Sequence, residues 1–263
     1  MIEALVTNIQ LFLLVFFRII AMVELAPLFS SSSIPQLAKI GMSLFVSASV
    51  FPGVLASHYA IPENAVDYAL LVLGEVAIGL LIGFILNLIF SAFQLAGQFF
   101  SLQMGFGASE VFDPLSQVEI PLMGEFLNLI AMLVFIAISG TGKFLLVGVM
   151  RSFEYLRAVD LVTHREGIVQ LLISGLGGLF QSALVISFPI LGTLLLVSIV
   201  MGLLARAAPQ MDVLTMGFPV SIGVAFIVLF ATLPLLMTAM ERIIDGSFQT
   251  LGTFIAGAGS LRK

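Results

Sequence analysis

The stretch from Val213 to Met240 carries no charged side chain. A helix needs about 20 mostly apolar residues to cross the hydrocarbon core of a bilayer, and a water-facing helix of that length shows a polar face. Five further apolar blocks precede it, over roughly 5–29, 40–56, 69–104, 122–150 and 168–204. Between them lie turn-forming connectors. Ser30 to Pro35 closes the first block, and His58, Pro62, Glu63 and Asn64 mark the second gap. The third connector runs from Gly105 to Pro121, the fourth from Arg151 to Gly167, and the fifth from Arg206 to Asp212. The pattern predicts an all-α membrane protein with about six long apolar helical segments arranged as hairpins.

Block lengths refine this picture. The block 69–104 would be about 54 Å long as one straight helix, against about 30 Å of hydrocarbon. The block 168–204 is similar, and Pro189 inside it predicts a kink or a division. Such segments must tilt, bend or project into a protein assembly. Composition agrees with the membrane assignment: 60% of residues are hydrophobic and 10% charged, and the mean hydropathy is +1.20. Soluble domains carry about 25% charged residues. With no cysteine, disulfides and thiolate metal sites are excluded. The net charge of −5 is spread over loops, and no basic run points to nucleic acid. The first apolar stretch lacks a positive leader, so no cleavable signal peptide is expected. Connector 151–167 and the segment after Met240 hold the most Lys and Arg, which favours a cytoplasmic C-terminus.

Enzymatic chemistry finds little support. His58 and His164 fall in connectors without metal-ligand spacing, and Gly140 and Gly142 before Lys143 lack the spacing of a phosphate loop. No catalytic constellation, cofactor site or metal site is expected. Asn87, Ser91, Gln94 and Gln98 fall at spacings of four, three and four and form one polar stripe. Such a stripe either bonds neighbouring helices or lines a water-filled passage. Gly79 and Gly83 are spaced for close helix contact. Arg18, Glu24, Glu75 and Glu125 lie within apolar blocks. Arg18 and Glu24 do not share a helix face, so their partners come from other helices or subunits. A structural ion pair and a proton relay are both open, the pair being favoured.

The connector from Gly105 through Phe106, Gly107, Ala108, Ser109, Glu110, Val111, Phe112 and Asp113 to Pro114 combines a flexible glycine start, bulky apolar residues and a turn-initiating Asp-Pro. It is read either as an interfacial loop or as a hydrophobic constriction in a pore. In the fifth connector, Arg206, Pro209 and Gln210 make a tight turn between two apolar helices, with Gly217, Phe218 and Pro219 just beyond.

In these residues the chain resembles the flagellar branch of the export-gate family of type III secretion. The Arg206 to Gln210 turn with Gly217-Phe218-Pro219 is the strongest match. The Phe106 to Pro114 loop, reached through Gln94, Gln98 and Gln103, is the second, and Met22 through Pro35 the third. The resemblance spans nearly the whole chain. It implies a FliP-like part over about 1–167 fused to a FliQ-like helical hairpin over about 168–240, with 241–263 as a C-terminal tail. It implies assembly with FliP and FliQ homologues, one copy of this chain per complex, with FlhB packed against that core in the inner (cell) membrane at the flagellar basal body. Unfolded flagellar proteins would pass through the assembly. The loop 105–121 would be its plug, with Phe106, Gly107, Val111, Phe112, Asp113 and Pro114 as plug residues. An assembly of this kind also accounts for blocks longer than a bilayer is thick. A secondary transporter or channel for small solutes is the alternative reading of the same apolar segments and isolated charges.

Overall fold

The computed structural model describes residues 2–27, 29, 34–56, 59, 61–62, 64–106, 122–163, 165–208 and 213–260. Among these there is no strand. The helices are α1 (Ile2–Leu25), α2 (Gln36–Ala56), α3 (Ala65–Met104), α4 (Leu122–Ala137), α5 (Gly140–Tyr155), α6 (Asp160–Thr163), α7 (Arg165–Ala207) and α8 (Val213–Ser260). Five of them are long and apolar enough to cross a membrane, or six if α4 and α5 count as one broken span. The expected all-α membrane architecture is therefore observed.

Three boundaries differ from the sequence pattern. The block 122–150 is not one helix: Ser139 adopts a left-handed conformation at φ 56° between α4 and α5. A non-glycine residue pays a steric penalty there, so the break is a local commitment of the backbone. Pro189 does not divide the fifth block, because α7 runs unbroken for 43 residues. The helix that begins at Val213 continues past the apolar block to Ser260.

The chain forms two compact units. One comprises Met1–Ile89, Ser139–Leu176 and Asp245–Lys263, and the other Phe90–Ile138 and Gly177–Ile244. In the first, α2 is inside-out compared with a soluble helix. Lys39, Ser43 and Ser47 are buried, whereas Leu37, Leu44 and Phe45 are exposed. Lipid tails are as apolar as leucine, so outward apolar residues cost nothing in a membrane and polar groups turn inward. The serine hydroxyls are satisfied locally: Ser43 donates to the Lys39 carbonyl at 2.8 Å and Ser47 to that of Ser43 at 2.6 Å. Phe12 of α1 meets Phe51 of α2 edge-on at 5.6 Å. In the second unit, Phe90 packs edge-on against Phe135 at 5.6 Å, around a core that includes Phe93, Phe100, Leu127 and Ala131.

Candidate functional site: a buried ion pair, a small-residue seam and the start of a loop

The first unit is organised around Arg18, whose side chain is entirely buried. Its Nε donates to Oε2 of Glu75 on α3, itself buried. Its Nη1 donates to Ser152 Oγ at 3.3 Å, and Nη2 to the Leu156 carbonyl at 3.0 Å. The guanidinium plane lies 4.0 Å from the ring centre of Phe153. Arginine suits this role because its planar fork serves several acceptors while its face stacks on an aromatic ring. The other carboxylate oxygen of Glu75, Oε1, accepts the Tyr59 hydroxyl at 2.6 Å. Tyr59 in turn lies under the guanidinium of Arg157, 5.2 Å from the ring centre. The arrangement is a satisfied structural pair, the favoured sequence reading. Glu24 likewise pairs with Lys39 of the same chain at 3.2 Å.

Tyr59 lies between α2 and α3. Burial, then the adjacent Glu75 carboxylate, raises its pKa far above the ordinary 10.0. A phenol whose folded pKa is raised stabilises the fold fully below its unfolded pKa, and that contribution is lost as pH climbs above it. The stability of the wild-type chain should therefore fall above about pH 10 more steeply than that of Tyr59→Phe. Thermal midpoints in detergent between pH 8 and 11 measure this; parallel curves for the two proteins would refute it.

Gly79 and Gly83 do make a close helix contact, and it lies within this chain. A side chain at Gly83 would meet the Met22 carbonyl oxygen at 2.8 Å and the Leu25 Cβ at 2.9 Å. At Gly79 it would strike the Arg18 carbonyl oxygen and the Ala21 Cβ. One turn further on, Asn87 Nδ2 donates to the Leu25 carbonyl at 3.3 Å, an acceptor that the end of α1 leaves without a helical partner. The seam between α1 and α3 is thus Gly79, Gly83 and Asn87, spaced by four. Its tight approach sets Arg18 against Glu75, which lies one turn before Gly79.

Two residues of the polar stripe bond to different neighbouring helices. Asn87 belongs to this seam, whereas Gln94, in the second unit, donates to Glu125 Oε1 at 3.0 Å. Ser91 and Gln98 are half-buried. Gly97 is pressed against Met123 and Gly124, so α3 and α4 touch backbone to backbone beside the Gln94–Glu125 bond.

The loop expected to be a plug begins at Gly105 and Phe106, and both are described. Phe106 N–H donates to the Ser101 carbonyl at 3.2 Å and Gly105 N–H to that of Leu102 at 3.1 Å. This paired pattern, with Gly105 at φ +93°, closes α3 with a left-handed cap. The ring of Phe218 fills the space where a Gly105 side chain would stand. Both motifs stand out in the sequence, but their contact joins residues too far apart in the chain for local pattern to reveal it. Gly107, Val111, Phe112, Asp113 and Pro114 lie outside the described residues, as do Pro209 and Gln210. Arg206 is exposed near the end of α7.

Comparison with known proteins places this architecture. The model of the family described as bacterial export proteins, family 1, matches residues 9–247. The flagellar biosynthetic protein FliR of Borreliella burgdorferi is 31% identical, over 90% of this chain and 88% of that protein. FliR of Bacillus subtilis is 30% identical, over 94% and 95% of the two chains. FliR of Escherichia coli is 26% identical, over 91% and 90%.

Proposed function

Because the chain belongs to family 1 of the bacterial export proteins, we propose that it is a non-enzymatic subunit of the flagellar type III export gate. It assembles with FliP and FliQ homologues, with FlhB against them, in the bacterial inner membrane at the flagellar basal body. The assembly forms the gated conduit for unfolded flagellar subunits. The observation that carries this reading is the near full-length similarity to flagellar FliR proteins. Surface chemistry supports it. Only 17% of the most apolar window of α8 and 22% of that of α7 are buried within the chain. Lipid or partner helices must cover the remainder, because water would be a poor solvent for it.

In this reading the loop 105–121 blocks small ions until an exported chain displaces it. Phe106, Val111 and Phe112 form the seal by keeping the constriction dry. The cap at Gly105, seated on Phe218, fixes where the loop leaves α3. Arg206, Pro209 and Gln210 turn the chain between α7 and α8. Co-expression with FliP and FliQ homologues from the same genome, followed by native mass spectrometry, should give one large complex containing a single copy of this chain. Recovery of a lone monomer or homodimer would refute the assembly. Deleting Gly107–Phe112 should leave that complex intact and raise membrane conductance to small ions. Unchanged conductance would remove the plug role.

A further inference from the structure

The first unit uses small residues to bring helices together, and it does so with two different results. At Gly79 and Gly83 the missing side chains are replaced by backbone and side-chain atoms of α1. On α2, Ser49 and Gly53 repeat the device at a spacing of four, and both are exposed. None of the described residues stands within 4 Å of a side chain placed at Gly53. These residues of α2 line a groove of about 640 Å³ together with Leu145, Met150 and Phe153 of α5.

Glu154 lines the same groove. It is exposed and accepts a hydrogen bond from Tyr155, yet among the described residues no cation forms an ion pair with it. Arg18 with Glu75, Glu24 with Lys39 and Lys143 with Asp245 form ion pairs in this unit, whereas the exposed Asp67 and Glu166, like Glu154, form none among the described residues. The groove therefore combines an apolar trough, a small-residue wall suited to close backbone approach, and one exposed carboxylate that forms no ion pair among the described residues. A phospholipid fits this poorly, because an acyl chain gains nothing from a wall that admits a close-packed backbone. A helix fits all three features.

We propose that the α2–α5 groove seats an apolar transmembrane helix of another subunit, with a Lys or Arg of that helix meeting Glu154. This rests on the assembly reading above and names a surface and a chemistry for it.

The space at Gly53 makes the test clean, since a bulky residue there displaces none of the described residues. The full chain is expressed with FliP and FliQ homologues, with p-benzoylphenylalanine in place of Met150, an exposed residue that lines the groove, and irradiated in intact membranes. The expected result is a protein adduct whose cross-linked peptide is an apolar helix containing Lys or Arg. Glu154→Lys should reduce that adduct at least tenfold. Gly53→Trp should lower partner recovery by a similar factor at unchanged chain abundance. Adducts with lipid alone, or undiminished partner recovery with Gly53→Trp, overturn the groove and leave the gate reading standing. If the unaltered chain retains neither homologue but the adduct still maps to such a helix, the groove stands and the gate partners are wrong. If partners and adduct are both missing, both fall.

Discussion

Arg18→Met should abolish recovery of the folded chain, whereas Arg18→Met combined with Glu75→Leu should restore much of it. The single change leaves the Glu75 carboxylate buried without a cation and deprives Ser152 and Leu156 of their donor. Removing one partner of a buried pair costs about 3–5 kcal/mol, because the other charge stays desolvated and uncompensated. Replacing both by apolar groups of similar size removes that penalty, and such exchanges are often neutral. Tyr59 would still lose its acceptor, so recovery should be incomplete. The measurement is the yield of monodisperse protein in mild detergent, with the thermal midpoint followed by circular dichroism. A double variant as damaged as the single one would show that the pair is needed for more than charge balance. A single variant with the wild-type midpoint would show that the network contributes little.

Gly79→Leu should be comparably severe and Gly83→Leu nearly so. The first atom of a new side chain already collides at either position, and the obstacles include backbone carbonyl oxygens of α1, which cannot rotate aside. Overpacking typically costs about 1–3 kcal/mol, and more where the backbone itself must shift. Pushing α1 away from α3 would also draw Arg18 from Glu75 and Asn87 from Leu25, so several interactions fail together. Gly41→Leu is the control, because none of the described residues stands within 4 Å of a side chain there. Size-exclusion profiles of the three variants should separate the seam glycines from the control; three matching profiles would refute the seam.

Much of the fold is legible in the pattern of apolar blocks, since each block emerges largely as helix, the block 122–150 as two. The limits of that legibility are physical. Periodicity gives the faces of a helix but not which other helix meets each face. Arg18 and Glu75 stand out as lone charges in apolar surroundings, and their opposite signs make them candidates for each other. Only the seam at Gly79 and Gly83 decides that α1 is the helix that reaches Glu75. The stripe Asn87, Ser91, Gln94 and Gln98 shares a face by spacing, yet Asn87 caps α1 and Gln94 meets Glu125 of α4. Ser139 ends α4 in a left-handed turn, although the glycine beside it, Gly140, is the residue whose type would suggest that conformation; Gly140 instead opens α5. Gly105, by contrast, is readable as a helix stop from its residue type, while its seat on Phe218 is not.

Within α5, Phe144–Arg151 is π-helical. A π turn takes in one residue more than an α turn, and each residue of an α-helix is worth about 100° of rotation. The wider winding therefore changes the rotational phase of everything after it. Ser152 and Phe153 follow immediately, and the Leu156 carbonyl closes the same helix end. Their grip on Arg18 depends on that phase as much as on their chemistry. The stretch works as a gear between two parts of one helix, letting residues chosen for an apolar groove and residues chosen for a buried guanidinium each face their own target.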